Sequence, residues 1–127
     1  MLSLNHIHLK SQDPRKAAAW YVEMFGAEIV RETDTGGATT LGLDVAGVRL
    51  NISSPPPGEA LPLGSADPHL GLEHYAIQSD DLEALLAVLE PKGLELLEPF
   101  RVADSGAKIA FVRAPDDVRI ELIQPAT

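Results

Sequence analysis

The sequence predicts an α+β fold made of two βαβββ modules, and an internal repeat is the main reason. The segment LNHIHLKSQD at 4–13 returns as LEHYAIQSDD at 72–81, with leucine, histidine, serine and aspartate at matching places. Further along the chain, VRLNI at 48–52 matches VRIEL at 118–122. In each copy the apolar residues first alternate, then follow helical spacing, then alternate again. Because such a repeat marks a duplicated supersecondary unit, we expect two copies of one fold unit.

The length of the chain limits how the two copies are organised. With 127 residues it is large enough for one substantial core and too small for two independent cores. We therefore expect a single domain whose two modules share one core. Its parts are module one at 1–53, a linker loop at 54–71 and module two at 72–127.

Module one carries a local signal for each of its elements. The alternation of its first strand places His6 and His8 on one face. Asp13 followed by Pro14 is typical of a helix start, and Gly26 is typical of a helix end. The predicted elements are a strand at 4–10, a helix starting at 14, and strands at 27–31, 39–44 and 48–53.

Module two repeats this order after a segment that is rich in proline and glycine. The segment 54–71 holds five prolines and three glycines without a sustained period, which predicts a loop. The second helix is expected to be capped by Asp80 or Asp81 and to stop at Pro91. The predicted elements are a strand at 72–79, a helix starting at 82, and strands at 94–97, 108–112 and 118–123.

Composition excludes several classes of function. The chain has no cysteine, so disulfides, thiolate nucleophiles and cysteine-based metal sites are ruled out. Its formal net charge of -9 repels phosphate backbones and anionic lipid, so neither nucleic acid nor a membrane is an expected partner. No long apolar run and no signal-peptide pattern occur, which predicts a cytoplasmic protein.

The polar residues of the repeat predict a metal site. In the last strand of each module one face is apolar, and the other carries Asn51 or Glu121. If the modules associate with approximate two-fold symmetry, these two residues converge with His6 and His74. Two imidazoles and one carboxylate suit a divalent first-row metal and leave positions open for water or substrate. We therefore predict His6, His74 and Glu121 as metal ligands.

The duplicated motifs, taken in order, resemble the vicinal oxygen chelate superfamily, which includes glyoxalase I, extradiol dioxygenases and bleomycin-resistance proteins. The resemblance implies that the two modules form a shared open barrel-like cleft with a metal inside, and commonly a homodimer. The metal ligands of metal-binding members fall here on His6, His74 and Glu121. The motifs that carry the resemblance are NHIHL at 5–9, DP at 13–14, HYAI at 74–77 and IEL at 120–122.

Three positions depart from patterns of that superfamily. Where glyoxalase I has a ligand glutamate that also shuttles a proton, this chain has Asn51, and an amide cannot accept a proton at neutral pH. Two residues after the first ligand, thiol transferases typically have threonine, whereas this chain has His8. The usual Pro-Asp-Gly turn is PDD at 115–117. The first two departures argue against glyoxalase I activity and against fosfomycin as the substrate.

Three further residues are candidates for substrate contact or catalysis. His8 shares the face of His6 and is predicted to handle a proton or touch the substrate, the alternative being plain packing. Arg49 and Arg119 occupy matching places in the repeat and, with Asn51, are predicted to bind an anionic substrate. The alternative for both arginines is a structural position at the rim of the sheets.

Two functions follow from these predictions. The first is an enzyme that uses a divalent ion (Fe, Zn, Mn, Ni or Co) to hold a small molecule through adjacent oxygens, as a lyase, isomerase or ring-cleaving dioxygenase. The second is a metal-free small-molecule binding protein of the bleomycin-resistance type. The low aromatic content, 5%, weakens the second function, and the acidic charge supports it slightly.

Overall fold

The computed structural model describes all 127 residues, and the chain divides into two compact units, Met1–Pro62 and Leu63–Thr127. Each unit has the predicted βαβββ order, so the α+β duplication is confirmed. The boundary between the units lies inside the predicted linker. The elements are β1 (Ile7–Lys10), α1 (Pro14–Phe25), β2 (Glu28–Thr35), β3 (Ala38–Val45), β4 (Val48–Ser53), β5 (Tyr75–Gln78), α2 (Leu82–Leu89), β6 (Glu95–Val102), β7 (Lys108–Ala114) and β8 (Val118–Gln124).

The first unit is a four-stranded sheet with α1 on one face. Its strand order is β1-β4-β3-β2, with β1 parallel to β4 and the other neighbours antiparallel. The apolar residues of β3 and β4 alternate with polar ones, so one face of the sheet is apolar and packs under the helix. The buried side chains on that face are Leu41, Leu43, Leu50 and Ile52.

The ends of α1 follow the predicted capping signals. The side chain of Asp13 accepts a hydrogen bond from the backbone N–H of Lys16 at 3.2 Å. Gly26 has a left-handed conformation with φ of 66°, which ends the helix and which glycine adopts without steric cost. The helix start and the helix end are both confirmed.

The second unit has the same layout, with strand order β5-β8-β7-β6 and β5 parallel to β8. The side chain of Asp81 caps α2 by accepting from the N–H of Ala84 at 3.1 Å, which settles the choice between two adjacent aspartates. The α-helix ends at Leu89, just before Pro91 as predicted, and a short 3₁₀ turn follows from Glu90 to Lys92. Leu82 and Leu86 of α2 are buried, as are Ile120 and Leu122 of β8.

Several predicted strand bounds were wrong. Strands 4–10 and 72–79 are shorter in the structure, since parallel pairing begins only at Ile7 and Tyr75. Strand 94–97 is longer, because β6 continues through Pro99 to Val102. Proline is tolerated there since β6 is an edge strand with register shifts on both sides of Glu98.

In both units the face of the sheet that lies opposite the helix carries the candidate functional residues; we call it the helix-free face. In the first unit it holds His8 and Asn51, which are opposite one another in the parallel pair. In the second unit it holds Phe111 and Glu121, which are paired between β7 and β8. Neither helix has the length and apolar character that a bilayer crossing requires.

Candidate functional site

His8, Lys10 and Ser53 form a hydrogen-bonded cluster on the helix-free face of the first unit. His8 Nε2 lies 2.7 Å from Ser53 Oγ, and Lys10 Nζ donates to the same oxygen at 3.0 Å. Because an ammonium group has only donors, Ser53 accepts from Lys10 and is free to donate to His8. Partial burial lowers the pKa of His8 below 6.5, and the charges of Lys10 and His6 lower it further. In its neutral form His8 can accept this hydrogen bond at Nε2.

Asn51 carries a hydrogen-bond acceptor without a partner. Its Oδ1 is buried and makes no hydrogen bond. The atom lies beside Gly42, where an added Cβ would be 3.5 Å from it. A buried acceptor left unpaired costs about 1–3 kcal/mol, so this oxygen is suited to a donor group from a ligand or water. Arg49, two residues earlier on β4, is exposed and lies opposite Asp44.

His6 lies immediately before β1 and is exposed. Its Nδ1 is 2.6 Å from Oδ1 of Asn5. Its ring meets that of His8 edge-on, with ring centroids 6.2 Å apart. The imidazole of His6 is thus oriented by its chain neighbour on one side and by a second histidine on the other.

His74 is the counterpart of His6 in the second unit and lies immediately before β5. Its Nδ1 is 2.8 Å from Oε1 of Glu73. Its ring packs edge-on against Phe111, with centroids 5.2 Å apart and an interplanar angle of 90°. The hydrogen bond from His74, followed by the charge of Arg119, lowers the pKa of Glu73, which keeps that carboxylate ionised.

Arg119 lies in a network inside the second unit and is only 6% exposed. Its guanidinium carbon is 4.2 Å from the centre of the Phe111 ring, an arrangement typical of a cation–π contact. It donates to the carbonyl of Ala66 at 3.1 Å and pairs with the carboxylate of Glu98. Its Nε lies 3.5 Å from Oε1 of Glu73. These contacts join the segment before β5 to the sheet, and substrate binding by Arg119 stays a prediction.

Glu121 is a partly buried carboxylate that makes no hydrogen bond or ion pair. It lies on β8 with Phe111 on one side and Ala76 on the other. Because side chains two residues apart on a strand share a face, Glu121 is on the same helix-free face as His74 and Arg119. A carboxylate on this face that makes no ion pair is able to bind a cation.

The three predicted metal ligands are distributed over both units. His6 belongs to the first unit, and His74 and Glu121 belong to the second. The structure gathers no group of three or more His, Cys, Asp or Glu side chains in position to hold a metal ion. Two of the three donors nevertheless share one face of one sheet. Neutral imidazole nitrogen and carboxylate oxygen also suit first-row divalent ions, so the donor chemistry fits a metal.

The sequence reasoning missed Glu73, Asn5 and Ser53. Glu73 and Asn5 stand directly before the two repeated histidines, so their matching places in the repeat were a signal that could have identified them. Strand alternation placed Ser53 on the same face as Asn51, but it did not indicate the contact with His8. Ser53 reaches His8 because β1 and β4 pair in parallel, and that pairing depends on the tertiary fold.

The chain consists of two βαβββ units, each with a histidine just before its first strand. This arrangement is typical of one superfamily of proteins. The profile of the Glyoxalase/Bleomycin resistance protein/Dioxygenase superfamily matches residues 3–122. The chain belongs to this superfamily, and the resemblance found in its motifs is confirmed.

Individual proteins are similar to this chain in sequence or in structure over most of its length. The uncharacterized protein YwkD of Bacillus subtilis is 28% identical over 129 residues, which covers 96% of both chains. Lactoylglutathione lyase GLX1 of Arabidopsis thaliana is 26% identical and matches 94% of this chain, but this chain spans only 43% of that enzyme. The structure of a glyoxalase family protein from Enterococcus faecalis superposes with a TM-score of 0.77 at 30% identity, covering 95% of this chain and 96% of that one.

Proposed function

We propose that this protein is a divalent-metal-dependent enzyme that acts on a small molecule with two adjacent oxygen atoms. The observation that carries the proposal is Glu121, a partly buried carboxylate without a partner on the face that also holds His74. A carboxylate that makes no ion pair within the chain is available as an oxygen ligand for a divalent cation. His74 and Glu121 would hold the metal together with His6, supplied by the same chain or by a second copy in a homodimer.

The residues around these donors suggest how a substrate is handled. The bound metal would act as a Lewis acid for negative charge on the substrate oxygens. In its neutral form His8 can take up a proton at Nε2 once the hydroxyl of Ser53 turns away. Asn51 can accept a hydrogen bond from a substrate hydroxyl through its unpaired Oδ1. Arg49 is exposed and would favour an anionic substrate, whereas Arg119 could contribute only by leaving its partner Glu98. Because Asn51 cannot shuttle a proton, lyase, isomerase or dioxygenase chemistry other than that of glyoxalase I is favoured.

Titration of the metal-free protein with Co²⁺, followed by its visible absorption, tests the proposal directly. We expect one equivalent to bind, and His74→Ala and Glu121→Gln each to abolish binding or weaken it strongly. Glu90→Gln is the matched control, since Glu90 is exposed at the end of α2. Protein that takes up no Co²⁺, or that binds it equally well in all three variants, would refute the assignment.

The alternative is a metal-free binding protein, and one feature of the second unit favours it. Ala107, Ile109 and Phe111 form an apolar cluster, with Leu97 and Ile123 packed against it. Ile109 and Phe111 lie on the helix-free face, so a ligand there would meet apolar surface beside charged groups. Protein without bound metal, whose melting temperature is unchanged by His74→Ala, would support this alternative.

A further inference from the structure

We infer that Glu73 and Asn5 are positioning residues: each accepts a hydrogen bond from Nδ1 of the following histidine and thereby leaves Nε2 as the atom that can bind a ligand. The inference rests on the proposed function in one respect, namely that the ligand bound by His74 Nε2 is a metal. The fixed protonation pattern of the rings is a property of the metal-free protein and is tested separately.

The hydrogen bond that fixes the protonated nitrogen is best defined at His74. An ionised carboxylate only accepts hydrogen bonds, so the contact of 2.8 Å between Glu73 Oε1 and His74 Nδ1 requires a proton on Nδ1. In a neutral imidazole the other nitrogen, Nε2, then carries the free electron pair. Edge-on packing against Phe111 fixes the plane of the ring. His74 is thereby prepared to offer one defined nitrogen in one defined orientation.

Glu73 also lies beside a buried cation. Arg119 Nε is 3.5 Å from the same Oε1 that accepts from His74, an ion-pair contact without a hydrogen bond. The guanidinium of Arg119 is fixed in turn by the carbonyl of Ala66 and by the ring of Phe111. Since Arg119 is buried, this support has little freedom to move. The chain from Arg119 through Glu73 to His74 resembles the outer carboxylate–histidine arrangement that commonly orients metal-binding imidazoles in proteins.

The same arrangement occurs independently in the first unit. Asn5 stands in the place of Glu73 in the repeat, and its Oδ1 lies 2.6 Å from Nδ1 of His6. The two units thus orient their repeated histidines through the same ring nitrogen, although one acceptor is a neutral amide and the other a carboxylate. A contact that recurs at matching positions of both copies is difficult to attribute to local packing alone.

Long-range ¹H–¹⁵N correlation spectra of the metal-free protein test the inference, and the chain has only four histidines to assign. In the neutral ring of His74, we expect Nδ1 to be protonated and Nε2 to be unprotonated. In Glu73→Ala the proton should redistribute toward Nε2. Glu73→Gln should keep the wild-type pattern, because its amide oxygen still accepts. Glu98→Gln is the control, since Glu98 pairs with Arg119 and not with His74. A wild-type His74 protonated at Nε2, or a Glu73→Ala spectrum identical to wild type, would overturn the inference.

Zn²⁺ affinity, measured by calorimetry with Zn²⁺ alone, provides the second readout. Loss of an outer hydrogen-bond partner weakens metal binding by about 10–100-fold, so Glu73→Ala should show a loss in that range while Glu98→Gln binds as the wild type does. Equal affinity of Glu73→Ala and wild type would contradict a positioning role. If no variant binds Zn²⁺ but the wild-type nitrogen pattern is as expected, the positioning inference is supported and the proposed metal function fails.

Discussion

Replacing Arg119 by methionine should destabilise the second unit strongly, although the residue lies on the face that carries the candidate site. Methionine keeps an unbranched apolar stem of similar length, so it preserves most of the packing and removes the guanidinium. The perturbation therefore isolates the polar and cation–π contacts of this side chain. Those contacts are with Ala66, Phe111, Glu98 and Glu73.

The expected loss can be worked from these contacts one at a time. Ala66 is 1% exposed, so its carbonyl would lose its donor in a dry environment, at a cost of about 1–3 kcal/mol. The cation–π contact with Phe111 adds about 0.5–2 kcal/mol. The side chain of Glu98 is 42% exposed, so solvent screening reduces its ion pair to roughly 0.2–1 kcal/mol. Because such contributions do not add fully, we expect a loss of about 3 kcal/mol.

Native-state amide hydrogen exchange is the appropriate assay. The single tryptophan, Trp20, lies in the first unit, so its fluorescence does not report directly on the second. We expect Arg119→Met to lower the protection of β7 and β8 amides, and to lower it at least as much in the segment from 66 to 73. Arg113→Met is the matched control, since Arg113 lies directly opposite Arg119 across the β7–β8 pair but its side chain is 39% exposed, against 7% for Arg119. Its effect should be much smaller.

A loss of less than about 1 kcal/mol in Arg119→Met, or a loss equal to that of the control, would refute the reasoning. It would mean that the free-energy cost of desolvating the buried guanidinium equals the stabilisation that its contacts provide. Such a balance is known for buried ion pairs. Unchanged exchange in the segment from 66 to 73 would separately show that Arg119 does not hold that segment on the sheet.

The remaining predictions concern the helix caps and His69. Asp13→Ala and Asp81→Ala should each lower the free energy of unfolding by about 1 kcal/mol, because each removes a side-chain acceptor from a helix N-terminus. Urea titration measures this loss. No change in either variant would show that water replaces the cap. The pKa of His69 should lie above 6.5 in an NMR titration, since both ring nitrogens face backbone carbonyls, first that of Asp67 and then that of Leu72. The raised pKa means that protonated His69 stabilises the folded segment fully below about pH 6.5. This stabilisation is lost as the pH rises through the folded-state pKa, so amide protection at 67–72 should fall over that range. Protection that rises with pH would contradict the prediction.

The sequence by itself determined the duplication, the order of elements and the helix ends. Asp13 and Gly26 act on backbone groups within a few residues of themselves, so their effect is visible in the local pattern, whereas the structure was needed to choose Asp81 over Asp80. Strand alternation likewise separated the helix-covered face from the face that carries His8, Asn51 and Glu121. The superfamily followed from these features because its fold is built from the same duplicated unit.

Only the tertiary structure decided where the first strands begin, how far β6 extends and what surrounds the candidate ligands. A strand exists where a neighbouring strand pairs with it, and β4 and β8 lie far away in sequence from β1 and β5. The burial of Arg119, its contact with Glu73 and the hydrogen bond between His8 and Ser53 depend on the same long-range pairing. Local signals fix the backbone conformation of a segment, whereas the partners of a side chain are fixed only when distant segments pack together.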